Sequence, residues 1–129
     1  LAICRPDLHF TLLDRSARRV RFLQVVQAEL GLQNVDCVCQ NLPGSGSMNN
    51  TYDVAFARAV SDPSTIWRLS EQLLKNNGRL IFFLSTQLVN SDRKRELQEN
   101  RLEGISWQMR EVHVPNLKNS HKILVMDKK

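Results

Sequence analysis

The sequence is poor in cysteine, in aromatic residues and in long apolar runs. Among 129 residues there are 3 cysteines, and aromatic residues make up 6%. An odd number of cysteines cannot close into a complete disulfide framework, so we expect reduced thiols and a cytoplasmic location. No apolar run approaches the roughly 20 residues that a membrane-spanning helix needs, so we expect no membrane association.

The start of the sequence lacks the features of a natural N-terminus. It begins Leu1-Ala2-Ile3-Cys4, without an initiator methionine and without the charged-then-apolar layout of a signal peptide. We therefore expect an N-terminal truncation of a longer protein. The 129 residues suffice for one domain with a core, and the apolar fraction of 42% is ordinary for a globular protein.

Metal-binding patterns are also missing. Cys37 and Cys39 lie two apart in a strand-like run, and no partner pair completes a four-ligand site, so we interpret them as buried structural thiols. The three histidines, His9, His113 and His121, show no ligand spacing. We therefore expect no bound metal.

What the sequence does contain is a surplus of cations and an alternation of apolar patterns. The formal net charge is +5, which favours an anionic partner such as nucleic acid. Period-two and period-3.6 apolar patterns alternate, which predicts an α/β fold with a mostly parallel sheet. Asp62 and Pro63 form a helix start, and the last two strands form an antiparallel hairpin. The predicted strands are 9–14, 35–39, 52–60, 79–84, 107–114 and 122–126. The predicted helices are 15–30, which Gly31 ends, 62–74, which the Asn76-Asn77-Gly78 stretch ends, and 92–102.

Ligands of open α/β sheets bind beyond the carboxyl ends of the strands, which directs attention to three strand ends. Asp14 ends the first strand. A carboxylate there either binds both hydroxyls of a ribose or caps the next helix, and the position alone does not distinguish these two roles. The loop from Gln40 to Pro43 follows the second strand and could edge an adenine. Arg58 ends the third strand, where we favour a pocket role over a salt bridge with Asp62.

A group of arginines marks the start of the first predicted helix. Arg15, Arg18, Arg19 and Arg21 lie in its first turns, where the helix dipole disfavours cations by roughly 0.3–1 kcal/mol each. Spacings of three and four place Arg15, Arg18 and Arg19 on one helix face. Solvation alone gives no reason for this unfavourable position, whereas phosphate contact does, so we predict RNA binding by these three residues.

Three stretches together resemble one protein family. They are Arg5-Pro6 through Leu12-Leu13-Asp14, then Arg18-Arg19-Val20-Arg21-Phe22-Leu23, then Tyr52-Asp53 through Arg58-Ala59-Val60. The chain resembles the glucose-inhibited division protein B family, the small-subunit ribosomal RNA guanine-N7 methyltransferases, from Leu1 to about Met126. The resemblance implies a Rossmann-like class I methyltransferase fold with S-adenosylmethionine as cofactor.

The resemblance also assigns roles by position. It implies that Asp14 holds the cofactor ribose, that Leu42 and Pro43 edge the adenine, and that Arg58 lies beside the cofactor and the target base as the catalytic arginine. The sequence offers no Cys–His pair or Ser–His–Asp set. This absence fits methyl transfer, because the sulfonium donor is already activated and the protein mainly positions the nucleophile.

The sequence departs from the family pattern at several points. The family's glycine-rich loop and first strand precede the point where this chain starts. Asn41 and Pro43 stand near the positions of a family arginine and acidic residue. Ser85 replaces the start of a Lys-Gly pair, and Ser120 replaces an arginine before His121. The expected domain is therefore 1–129, a methyltransferase domain without its first strand and glycine-rich loop, and inactive by itself.

Two classes of function remain as hypotheses at this point. The first is methylation of guanine N7 in 16S ribosomal RNA, acting as a monomer on small-subunit RNA or the 30S particle. The second is a non-catalytic RNA-binding relative of the same fold, suggested by the altered positions. A third reading, a plain α/β domain whose basic charge has no function, requires only the composition.

Overall fold

The chain folds into two compact units, Leu1–Ser45 and Gly46–Lys129. A computed structural model describes residues 1–44, 46–58, 62–84, 105–118 and 121–129. The predicted helix 92–102 and the altered positions Ser85 and Ser120 lie outside these ranges.

The first unit is a two-stranded parallel sheet with one helix. Strand β1 (Phe10–Asp14) pairs with β2 (Val35–Cys39) in continuous register, from Phe10 opposite Val35 to Asp14 opposite Cys39. Helix α1 (Ala17–Glu29) connects them and directs Val20 into the interior. The helix stops at Gly31 because the backbone there adopts a φ of 61°, which favours glycine.

The second unit is a four-stranded sheet in the order β3-β4-β6-β5. Parallel strands β3 (Tyr52–Arg58) and β4 (Leu74–Phe83) flank helix α2 (Pro63–Ser70) in sequence. Strand β6 (His121–Lys128) lies antiparallel between β4 and β5 (Ile105–Val112). The α/β class, the parallel pairs and the antiparallel C-terminal hairpin are all as predicted, and β4 is an interior strand of this sheet.

One face of the four-stranded sheet carries the core of the second unit. Six side chains are essentially inaccessible to solvent, and each contributes roughly 1.5–3 kcal/mol through burial. Because strand residues alternate between faces, this cluster also fixes which residues point the other way. The six are Trp67, Leu74, Leu80, Phe82, Leu124 and Met126.

Helix α2 begins as predicted but ends earlier. Asp62 is its N-cap and accepts a 2.9 Å hydrogen bond from the Thr65 backbone N–H, with Pro63 at the first helical position. Hydrogen bonds from Ser64 and Thr65 hold the pKa of Asp62 well below its usual range. The predicted continuation through Leu74 is wrong, because Leu74 is the first residue of β4.

The reason for the early stop is a set of tertiary hydrogen bonds. The Leu73 carbonyl accepts bonds from the backbone N–H groups of Thr51 and Tyr52, at 2.9 and 3.0 Å. Between Leu74 and Arg79 strand β4 advances five residues while β3 advances two, from Tyr52 to Val54. The Asn-Asn-Gly stretch therefore bulges from the ladder within a strand and does not terminate a helix.

The prediction of buried thiols is wrong for one of the two cysteines in β2. Cys37 is half-buried and its thiol donates to Gln27 Oε1 of α1. Cys39 is exposed, because it lies at the last position of the strand, where its thiol donates to the Arg15 carbonyl at 3.7 Å. All three cysteines are free.

The amino end of the four-stranded sheet is held by one lysine. The Lys128 ammonium donates to the carbonyl oxygens of Glu71 and Leu74, both at 2.8 Å, and to Asn50 Oδ1 at 3.3 Å. Glu71 is the C-cap of α2, so a cation here also complements the negative end of the helix dipole. One side chain thus joins the end of α2, the start of β4 and the loop before β3.

Replacing Lys128 by methionine should lower the free energy of unfolding by about 1–3 kcal/mol, since charged hydrogen bonds to two carbonyls are lost. Urea unfolding followed by tryptophan fluorescence measures the change, because Trp67 is buried. The matched control is Lys129→Met, which removes the same charge from an exposed neighbour. Equal unfolding midpoints for the two variants would contradict the assignment.

Candidate functional site

The carboxyl end of β1 presents an ionised carboxylate in a network of its own. Asp14 Oδ1 accepts the Ser16 backbone N–H at 2.8 Å, and Oδ2 lies 3.4 Å from Arg19 Nη1. The hydrogen bond from Ser16 chiefly, and Arg19 after it, lower the pKa of Asp14. Its side chain is 25% exposed, and each carboxylate oxygen retains a lone pair for a hydroxyl donor. The helix-start contact and a ribose contact are therefore compatible.

The arginines near α1 are arranged differently from the prediction. The helix begins at Ala17, with Ser16 as N-cap, so Arg15 lies before it and shares no helix face with the others. Arg18 is exposed on the first turn of the helix, whereas Arg19 Nη1 lies 3.4 Å from Asp14 Oδ2 and forms an ion pair with it. The structure thus brings Arg19 to the candidate ribose carboxylate and directs Arg18 to solvent.

The loop after β2 is attached to the end of β1. The Gln40 backbone N–H donates to the Asp14 carbonyl at 3.0 Å, so the loop starts beside the candidate carboxylate. Leu42 is half-buried and Pro43 is exposed. A Cβ at Gly44 would collide with the Gln40 side chain, which packs over the glycine backbone. An apolar half-buried residue next to a closely packed backbone suits contact with a flat ring.

In the second unit, Arg58 occupies the last position of β3 and is exposed. It forms no ion pair with a carboxylate among the residues that the structure describes. Asp62, the alternative partner considered from sequence, accepts bonds from its own helix start instead. The guanidinium of Arg58 therefore keeps its donors for a ligand.

Arg58 belongs to a transverse row of residues that the sequence did not reveal. Sheet register places Arg58 opposite Phe83, Phe83 opposite Ile123, and Ile123 opposite Arg110. All four alternate with core residues and so point to the face opposite the core. We call these four residues the carboxyl-end row, because they lie where β3, β4 and β5 end.

Sequence reasoning missed Phe83 and Arg110 for an identifiable reason. The apolar run 80–84 shows no alternation, so it does not indicate which phenylalanine faces the core. Arg110 joins the row only through the register of the hairpin, which pairs it with Ile123. One signal was available in the sequence. Alternation along the strand places Gln108, Arg110 and Val112 on the face opposite Trp107 and Met109.

The described part of the chain contains no group of three or more potential metal-ligating side chains. In the same ranges, no helix has the length and apolarity that crossing a membrane requires.

Curated relatives match the whole chain, and two of them illustrate the likeness. A ribosomal RNA small subunit methyltransferase G from Klebsiella pneumoniae is 35% identical over 129 residues, and the chain covers 59% of it. A protein of the same name from Staphylococcus epidermidis is 29% identical over 136 aligned residues, with 55% of it covered. The chain therefore spans somewhat more than half the length of these relatives.

Solved structures show the same fold. A tRNA (m1A58) methyltransferase from Aquifex aeolicus has a TM-score of 0.65 at 10% identity, and the match covers 94% of this chain and 53% of that one. The TYW2 protein of M. jannaschii, solved with AdoMet, has a TM-score of 0.57 at 11% identity, covering 92% and 56%. These likenesses establish the Rossmann-like fold of S-adenosylmethionine-dependent methyltransferases.

A match to a family model shows which protein family the chain belongs to. The GidB model, described as rRNA small subunit methyltransferase G, matches residues 1–125. The resemblance noted from Asp14, the arginine group and Arg58 is thereby confirmed, and the chain belongs to the GidB family of small-subunit ribosomal RNA methyltransferases.

Proposed function

We propose that the protein containing this chain transfers a methyl group from S-adenosylmethionine to N7 of a guanine in 16S ribosomal RNA. The observation that carries the proposal is the family match over residues 1–125. The fold and the polar residues at the strand ends support it. Because the proposed substrate is ribosomal RNA, we also propose that the protein acts in the cytoplasm on the 30S particle or its RNA.

The residues present fit the nucleoside half of the cofactor. Asp14 is ionised, partly exposed and able to accept hydrogen bonds from ribose hydroxyls. The side chains of Leu42 and Pro43 supply apolar contacts for the adenine ring. Both lie in the loop whose first residue, Gln40, is bonded to the Asp14 carbonyl. These positions are the ones that the family resemblance assigns to cofactor binding.

For the methionine half of the cofactor, the part of the chain that the structure describes offers no comparable cradle. The sequence contains 5 glycines and no Gly-x-Gly-x-Gly. We propose that residues 1–129 are a methyltransferase domain without its first strand and glycine-rich loop. The chain alone should then bind the cofactor poorly and show little or no activity.

Arg58 is the residue that we assign to the reaction. When bound, the cofactor supplies an activated methyl group on a sulfonium, so guanine N7 needs orientation more than deprotonation. Arg58 offers five N–H donors and pairs with no carboxylate among the described residues, and such donors can hold a guanine or its phosphate in line with the methyl group. We place Arg58 beside both cofactor and target base.

The proposal is tested by incubating the full-length protein and methyl-labelled cofactor with undermethylated small subunits. Label should enter 16S RNA as 7-methylguanosine, and Arg58→Gln should lower kcat by on the order of a hundred-fold, since a positioned donor is lost. The matched control is Arg68→Gln, which removes an exposed arginine from α2.

No label in RNA would overturn the proposed reaction, and equal rates for Arg58→Gln and Arg68→Gln would overturn the role of Arg58. The competing function, RNA binding without catalysis, predicts that the full-length protein retains RNA and fails to bind S-adenosylmethionine in a calorimetric titration. The altered positions Asn41, Pro43 and Ser85 are the observation in favour of this alternative.

We propose that Arg15, Arg18 and Arg19 contact the RNA, with unequal contributions. Arg18→Gln should weaken binding to 16S RNA and reduce the slope of log Kd against log salt by about 0.7, because one phosphate contact is lost. Arg19→Gln should have a smaller effect, because Arg19 is already engaged by Asp14. Filter binding at several salt concentrations measures both, with Arg5→Gln, an arginine paired with Asp7, as the matched control. Indistinguishable slopes for Arg18→Gln and Arg5→Gln would contradict the assignment.

A further inference from the structure

We propose that Arg19 is a positioning residue for the cofactor, because it holds the Asp14 carboxylate in the orientation that binds both ribose hydroxyls. This inference rests on the proposed function for the identity of the cofactor and for the ribose contact of Asp14. It goes beyond that function by giving Arg19 a task in cofactor binding, in addition to its proposed contact with RNA. The contacts that carry it lie within residues 14–19 of the first unit.

The first argument concerns what the strand fixes at Asp14 and what it leaves free. Sheet register pairs Asp14 with Cys39, and the Asp14 carbonyl accepts the Gln40 backbone N–H at 3.0 Å, so the backbone is held on the side of β2. The side-chain torsion that turns an aspartate carboxylate about its Cβ–Cγ bond has a broad energy well. The strand therefore does not set the plane of the two oxygens, and donors to the carboxylate must set it.

The second argument is that each oxygen of this carboxylate has a donor of its own. Asp14 Oδ1 accepts the Ser16 backbone N–H at 2.8 Å, and Oδ2 lies 3.4 Å from Arg19 Nη1. A single donor would let the carboxylate turn about one hydrogen bond, whereas two donors on two oxygens fix its plane. Each oxygen then keeps a lone pair for one hydroxyl of the ribose. Such preorganisation lowers the cost of ordering the group when the ligand binds.

The third argument is the position of Arg19 in α1. It is the third residue of the helix, where the helix dipole disfavours a cation, and the first turn contains no acidic residue. The Asp14 carboxylate supplies the compensating charge through its ion pair with Arg19. Among the described residues, Arg18 and Arg21 of the same helix form no ion pair. A carboxylate partner thus distinguishes Arg19 from the neighbouring arginines.

The exposure of the pair sets the size of the expected effect. The Arg19 side chain is 75% exposed and the Asp14 side chain 25%, so solvent screens their interaction. Loss of Arg19 should therefore weaken cofactor binding only a few-fold, whereas loss of the carboxylate itself should weaken it more. A side chain this exposed can also be replaced without disturbing the fold.

Calorimetric titration of the full-length protein with S-adenosylhomocysteine, the product form of the cofactor, measures the role. Arg19→Gln should raise Kd about three-fold, as expected when an exposed charged contact is lost, and Arg19→Lys should restore most of the affinity because it keeps a cationic donor. The matched control is Arg21→Gln, which removes the same charge from an exposed position of the same helix. It should leave Kd within about 1.5-fold.

Two further titrations distinguish positioning from an independent effect of the charge. In an Asp14→Asn background, Arg19→Gln should change Kd less than about 1.5-fold, because the carboxylate that it positions is absent. An analogue that lacks both ribose hydroxyls should likewise bind equally to the wild-type protein and to Arg19→Gln. The same loss in the Asp14→Asn background or with the analogue, or equal Kd values for Arg19→Gln and Arg21→Gln, would overturn the positioning role.

Methyl transfer to small subunits separates this inference from the proposed function. Arg19→Gln should raise KM for S-adenosylmethionine about three-fold and leave kcat within about two-fold, as expected when uniform binding is lost. If no methyl group reaches guanine N7 but the titrations hold, the positioning role stands and the proposed reaction fails. If methyl transfer is intact and Arg19→Gln binds cofactor like Arg21→Gln, the reaction stands and the positioning role is wrong. A full-length protein that binds no cofactor would overturn both.

Discussion

Packing of Trp67 against one face of the four-stranded sheet is the constraint on which the arrangement of the second unit depends. Leu80, Phe82 and Leu124 are directed towards it and fully buried. A shift of one residue in any strand would move these side chains to the opposite face, so the core fixes the register strongly. The same register turns Arg58 and Phe83 away from the core. The position of Arg58 at the end of β3, on the face opposite the core, is thus a consequence of hydrophobic packing.

Polar interactions then separate the two ends of this sheet. At the amino end, Lys128 donates to the carbonyls of Glu71 and Leu74, while Lys75 pairs with Asp53 and Arg79 with Asp127. At the carboxyl end the arginines have no such partners in the described residues, and the first unit exposes Arg18 near its own strand end. Stabilising hydrogen bonds and ion pairs thus lie at the amino end of the sheet, and unpaired arginine donors lie at the carboxyl end. This is the distribution expected when ligands bind beyond the carboxyl ends of strands.

Much of this architecture could be predicted from the sequence, and the failures have physical causes. Alternating patterns located β2 at its true bounds, and Asp62-Pro63 located the start of α2, because capping is encoded locally. The end of α2 was predicted too late, because tertiary bonds from Thr51, Tyr52 and Lys128 stop it, and no local signal shows them. Strand-end residues such as Asp14 were identifiable by position, whereas Arg110 required the hairpin register.

The account depends most directly on Asp14 as the carboxylate that holds the cofactor ribose. Calorimetric titration of the full-length protein with S-adenosylmethionine tests this role, with Asp14→Asn compared with Asp53→Asn, which removes an exposed carboxylate from β3. The account predicts that Asp14→Asn raises Kd at least about ten-fold and that Asp53→Asn leaves it within about two-fold. Equal Kd values for the two variants would contradict it.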